Sequence, residues 1–251
     1  MLRGLVTAIR TLTVFSVPGR DAEKFSSSLY WFPVVGAFLG TLLAATAWIG
    51  VRLGWNELAA VGVVVGGLLL TRGMHADGLA DMADGFWGGR GERERILSIM
   101  KDPAVGSFGA LALVSLLMLK WVVVLRLLED GAFAVIAAGV LLGRLSQVVL
   151  ASSLPYARQN QGTASGFVDG AGLRHAFSAS ALSLILLFPF FADHPLLFVL
   201  LTTSSIVVVL GTGLLSRRKI GGVTGDVLGA VSEVTELFVW LVAGLKVIPL
   251  S

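Results

Sequence analysis

The stretch VGSFGALALVSLLMLKWVVVLRLL, residues 105–128, carries only Lys120 and Arg126 as charges in a run long enough to cross a bilayer. A spanning helix needs about 20 mostly apolar residues. Working outward from this run, similar ones follow at 28–50, 57–74, 131–154, 177–192, 195–215 and 227–248. The total is seven, or six if the fifth, which is short and interrupted by Pro189, is discounted. The predicted fold class is all-α: a polytopic membrane protein with about seven transmembrane helices (six to eight) plus amphipathic interfacial helices, in one domain over residues 1–251.

Composition supports lipid as the solvent. Of 251 residues, 55% are hydrophobic and 14% charged, where soluble domains average roughly 25% charged. Mean hydropathy is +0.86. A chain of this length has too little interior to hide so much apolar surface from water, so a soluble enzyme and a disordered chain are excluded. With no cysteine, thiol nucleophiles, thiolate metal sites and disulfides drop out together. The net charge of +3 calls for no nucleic-acid partner; membrane topology accounts for it. The first 25 residues, with Arg10 and Pro18 and no small-residue cleavage site, read as an amphipathic surface helix rather than a signal peptide.

The basic residues set the orientation. With the N-terminus inside and sides alternating, Arg3, Arg10, Arg20, Lys24, Arg72, Arg90, Arg93, Arg95, Lys101, Arg158, Arg174, Arg217, Arg218 and Lys219 share the inner side. Only Arg52, Arg126 and Lys246 fall on or near the outer side, and Lys120 and Arg144 lie within spans. This asymmetry predicts an N-in, C-out protein. The long polar segments 85–104 and 155–174 then lie inside, and residues 91–101 ride the interface, with Glu92, Arg93 and Glu94 on a solvated face. Lys120 and Arg126 are expected to snorkel outward.

The chemistry concentrates in residues 73–89, GMHADGLADMADGFWGG. Asp77, Asp81 and Asp84 recur at i, i+4 and i+7, within about 60° of arc and about 10 Å of helix. Carboxylates stacked this way repel unless a cation neutralises them or a pKa moves, and hard oxygen ligands suit Mg²⁺ or Mn²⁺. The alternative is an acidic solvated face. Gly78 and Gly85 leave room for a bulky phosphorylated substrate or for close helix packing. His75 precedes the stripe as a general base, a phosphate ligand or a simple helix-start residue.

A second cluster spans 217–236. Asp226 and Glu233 are again seven residues apart, with Glu236 one turn further on. The glycine-rich residues 221–225, including Gly222 and Thr224, precede a helix start and could offer backbone N–H groups to phosphate. Carboxylates inside an apolar helix are functional candidates. Arg144, inside the fourth span, needs a partner: a phosphate or one of these acids.

These residues resemble the cobalamin synthase family. The similarity rests on His75-x-Asp77-Gly78-Leu79-Ala80-Asp81-x-Ala83-Asp84-Gly85, followed by Ile99-Met100-Lys101-Asp102 and Gly106-Ser107-Phe108-Gly109. Arg10-Thr-Leu-Thr13, Phe32-Pro33-Val-Val-Gly36, Gly143-Arg144, Leu154-Pro-Tyr-Ala-Arg158 and Gly221-Gly-Val-Thr-Gly-Asp226 agree in order along nearly the whole chain. Departures are Arg72, where a glycine is usual, and Gln159–Gln161.

The resemblance implies an enzyme of the bacterial cytoplasmic membrane with its active site facing the cytoplasm. It would join adenosylcobinamide-GDP to α-ribazole or its 5′-phosphate, releasing GMP with Mg²⁺ as cofactor. On this reading Asp77, Asp81 and Asp84 hold Mg²⁺, with Asp226 and Glu233 completing the set. Asp81, Asp77, His75 and Glu233 are the catalytic candidates. Arg144, Arg158, Lys101, Gly78, Gly85, Gly222 and Thr224 are the substrate-binding ones. A homo-oligomer, or association with other corrinoid-assembly enzymes, is a further expectation. The alternatives are a CDP-alcohol phosphotransferase-like lipid synthase, from whose Asp-Gly-x-x-Ala-Arg opening Asp81 and Met82 depart, and a cation-coupled transporter.

Overall fold

The structure, a computed structural model, describes residues 2–158, 162 and 164–245; Gln159–Gln161, Lys246 and the end of the last predicted span lie outside them. The helices are α1 (Leu2–Leu12), α2 (Phe32–Arg52), α3 (Asn56–Leu70), α4 (Met74–Gly88), α5 (Arg93–Ile99) and α6 (Ser107–Glu129). They continue as α7 (Phe133–Ser153), α8 (Ser165–Val168), α9 (Leu173–Phe191), α10 (Pro195–Ile220) and α11 (Gly225–Gly244). A 3₁₀ segment, Phe25–Trp31, leads into α2, whose Pro33 sits in the first turn, where a missing N–H costs nothing. Six of the described helices are long and apolar enough to cross a membrane, or seven spans if the bent pair α3–α4 is one. The protein is a multi-pass, all-α membrane protein.

Burial separates inner helices from outer ones. In α7 and α11, 78% and 72% of the most apolar stretch is buried, against 22–33% in the other long helices. The outer helices turn side chains such as Trp48, Val122, Ile206 and Leu210 outward, where the apolar surroundings must be lipid. Small residues let outer helices approach inner ones: a Cβ on Gly40 of α2 would come 2.6 Å from the Ala137 carbonyl oxygen of α7. Van der Waals packing of this kind holds helices together where lipid removes the hydrophobic drive.

Two expected spans differ from the sequence reading. The run 57–74 does not continue to Met74; α3 ends at Leu70, at about 22 Å shorter than a bilayer core of about 30 Å. The chain then bends by 85° into α4. Arg72 and Gly73 make the bend with φ of 56° and 67°, a left-handed pair that glycine adopts without penalty and arginine does not. The Arg72 guanidinium donates to the Arg10 carbonyl at 2.9 Å, tying the bend to α1. The fifth span is not broken by Pro189, which sits inside a helix that runs unbroken over Leu173–Phe191.

The N-termini of α6 and α11 and the C-termini of α3, α7 and α10 gather at one end of the bundle, as alternating spans require. There the Asp84 carboxylate meets Gly106 and Gly109, Arg93 meets Ile220, and Val223 pairs with Pro155 and Ala157. The helices α4 and α5 and the segment after α7 cover that end.

Candidate active site

At Gly78 the backbones of α4 and α11 touch: a Cβ there would lie 2.7 Å from the Asp226 carbonyl oxygen and 2.9 Å from its Cα. The contact carries Asp77 and Asp81 alongside Asp226. Charge from Asp226, Asp77 and Asp84 reaches Asp81, and Arg158 supplies the opposing sign. The Arg158 guanidinium donates to Asp226 Oδ2 at 2.8 Å and to the Met100 carbonyl at 3.1 Å. Thr224 donates to the same Asp226 oxygen at 3.2 Å. Asp81 and Asp226 therefore share one arginine, and the charge of Asp77 reaches both of them. Among the described residues, no three His, Asp or Glu side chains stand close enough to hold a metal by themselves.

The acidic stripe is graded in depth. Asp77 is exposed, Asp81 half-buried and Asp84 buried. Asp84 does not turn to the cluster: its oxygens accept the backbone N–H groups of Gly106 at 2.7 Å and Gly109 at 2.9 Å, satisfying open donors at the start of α6. The reason lies in position along the helix: Asp84 stands seven residues, about 10 Å, beyond Asp77 on α4, where the start of α6 passes.

Glu233 also stands apart from the cluster. Lys120 donates to Glu233 and Glu236, and Arg144 donates to Glu236 and Ser232. All four charged residues are buried, with exposures of 5% (Lys120), 2% (Arg144), 6% (Glu233) and 4% (Glu236). Two positive and two negative charges cancel. Arg144 is thereby paired with acids rather than open to phosphate, and Lys120 points inward rather than snorkelling outward. Charge arithmetic was the available signal: two carboxylates within a span call for two cations within spans, and only Lys120 and Arg144 qualify.

The predicted glycine and loop contacts are also used internally. The Cβ side of Gly85 is filled by Met100 and Ile96, and that of Gly78 by Asp226, so helix packing occupies the space left for substrate. Gly222 lies against the Pro155 carbonyl. The Val223 N–H donates to Pro155 at 2.9 Å, and the Ala157 N–H donates to Val223 at 2.8 Å. Thr224 caps α11 by accepting the Val227 N–H at 3.3 Å. The glycine-rich loop thus spends one donor and one acceptor on the segment that carries Arg158.

Arg93 is exposed, as expected of a solvated face, and its guanidinium also donates to the Ile220 carbonyl at 2.8 Å and the Ala157 carbonyl at 2.7 Å. It borders an open cleft of about 480 Å³ with Lys101 and Arg158. Burial pushes the neighbouring Tyr156 hydroxyl above its ordinary pKa. Across the Arg158–Asp226 pair lies a second cavity, lined by Asp77, Asp226, His75 and Gln147. His75 is buried against Gly229, and its Nδ1 has no hydrogen-bond partner among the described residues.

An acidic cluster with one cationic partner, at the end of a multi-pass helical bundle and flanked by a basic cleft and a cavity, makes this end of the membrane protein the candidate site for a charged ligand. Residues 4–244 match the cobalamin-5-phosphate synthase family, and the chain belongs to it. It is 71% identical over 245 residues to an adenosylcobinamide-GDP ribazoletransferase of Chlorobium phaeovibrioides, covering 98% of each chain. A protein of the same name from Chlorobium chlorochromatii is 60% identical over 98% of this chain and 97% of its own. One from Syntrophobacter fumaroxidans is 34% identical over 92% and 94%. No solved structure matches.

Proposed function

We propose that this chain is an adenosylcobinamide-GDP ribazoletransferase, completing the nucleotide loop of cobalamin at the cytoplasmic face of a bacterial inner membrane. The observation that carries the reading is that Arg158, paired with Asp226 and opposing the charge of Asp81, also borders a cleft with Lys101 and Arg93, in a chain of this family. The placement of basic residues along the sequence supports the cytoplasmic orientation.

In the reaction, a ribose hydroxyl of α-ribazole, or of its 5′-phosphate, attacks the cobinamide-side phosphorus of adenosylcobinamide-GDP. A new P–O bond forms to the ribose, the bond to the bridging oxygen breaks, and GMP leaves with that oxygen. The hydroxyl proton passes to a carboxylate of the cluster; Asp77 is exposed and lines the cavity beside it. Arg158 and Lys101 bind the diphosphate as charged donors. Arg93 holds the cleft wall by its two carbonyl bonds.

The donor set fits Mg²⁺. This ion is held by one or two carboxylates together with substrate phosphates rather than by an all-protein cage, which agrees with three neighbouring aspartates that do not converge on a point. Asp77, Asp81 and Asp226 would hold it, and it would neutralise charge developing on the phosphate oxygens. The test is GMP release by the purified chain from adenosylcobinamide-GDP, α-ribazole and Mg²⁺. Release that needs all three supports the reading. CMP release from a CDP-alcohol, or no turnover with the corrinoid, overturns it.

A further inference from the structure

The cavity beside Asp77 and Asp226 measures about 400 Å³, within the roughly 300–1,000 Å³ typical of sites for small molecules. Its construction is uneven. One wall is apolar, from Leu12 of α1, Leu29 and Phe25 of the 3₁₀ segment, Phe32 of α2 and Phe167 of α8. Phe25 and Phe167 meet edge to face with centroids 5.4 Å apart. The opposite wall carries His75 and Gln147, both 3% exposed, and His75 Nδ1 and Gln147 Oε1 have no hydrogen-bond partner among the described residues. A buried polar atom left unpaired is costly, and two of them on residues that line one cavity point to a ligand that pairs with them.

The geometry points to this cavity as the acceptor subsite, seating the ribazole nucleoside with its dimethylbenzimidazole ring against the aromatic wall and its ribose hydroxyls on Gln147 and His75. The inference rests on the transferase reading and names where its second substrate lies. Ribose hydroxyls both donate and accept, so they can pair with the Gln147 oxygen and with His75 Nδ1 in either tautomer. The dimethylbenzene edge offers no hydrogen-bonding group, as an apolar wall requires. Guanine fits less well, since its edges carry donors and acceptors that Leu12, Leu29, Phe32 and Phe167 would leave unpaired. Seated so, the sugar lies next to Asp77 and Asp226, while Arg158 separates it from the basic cleft. The two substrates then approach the carboxylates from opposite sides.

The test uses the full chain in nanodiscs and two variants. Gln147→Leu removes one unpaired acceptor, and Ala164→Trp fills the cavity from its rim, where Ala164 forms part of the lining. For both, the KM for α-ribazole rises about tenfold or more while the KM for adenosylcobinamide-GDP stays within about twofold; Gln147→Asn recovers part of the loss. Equilibrium dialysis with α-ribazole alone reads the cavity without turnover: wild type binds it, Ala164→Trp does not, and GMP does not displace it. If the donor KM rises instead, if both rise together, or if GMP displaces the nucleoside, the assignment is wrong. Wild-type α-ribazole binding without any GMP release would sink the transferase reading while leaving the cavity assignment standing.

Discussion

Two groups of carboxylates lie about 10 Å apart along α11, and they have opposite characters. Near the helix start, Asp226 joins Asp77 and Asp81 against Arg158, with Asp77 exposed. Two turns deeper, Glu233 and Glu236 are sealed with Lys120 and Arg144 in a balanced quartet. The outer group has surplus negative charge and access to a ligand; the inner has neither. The depth and pairing of an acid, more than its type, divide reactive groups from structural ones here. A buried pair broken on one side leaves a charge stranded in low dielectric, whereas an unbalanced cluster near water is ready to take a cation.

Breaking each group in turn should separate activity from stability. The largest effect is expected from Asp81→Asn: GMP release falls about a thousandfold, corresponding to the several kcal/mol that charge stabilisation by a metal supplies, with the unfolding temperature in detergent unchanged. Lys120→Met is next. It should destabilise the fold by about 3–5 kcal/mol, read by thermal unfolding, and pairing it with Glu233→Gln should recover much of that loss. Asp84→Asn sharpens the boundary between the groups. It weakens the start of α6 by about 1–2 kcal/mol and lowers activity far less than Asp81→Asn does. The smallest effect belongs to Arg72→Gly. Relief of about 1 kcal/mol of left-handed strain is offset by loss of the bond to Arg10, worth about 0.5–1.5 kcal/mol, leaving the melting temperature nearly unchanged.

Much of this was legible in the chain, for reasons that can be named. Apolar length marks the spans because lipid satisfies no backbone group, and the acidic stretch stood out because acids are few. The bend between α3 and α4 was hidden: apolar residues continue up to the Thr71-Arg72-Gly73 break, and only backbone torsions reveal that Arg72 turns left-handed. Gly78 was ambiguous in principle, since a missing Cβ admits a substrate or a helix equally, and Asp226 occupies the space. The pairing of Lys120 does not show within its own span, because its partners lie more than a hundred residues away. The cavity was invisible for the same reason, as its walls come from several separate helices.

The most direct measurement is Mn²⁺ binding, followed by electron paramagnetic resonance with adenosylcobinamide-GDP present and the acceptor absent. The outer group should be the metal site: Asp77→Asn combined with Asp226→Asn weakens Mn²⁺ binding about tenfold or more, while Lys120→Met combined with Glu233→Gln leaves it within about twofold. The reverse pattern, with binding kept in the first variant and lost in the second, would contradict the division of roles between the two groups.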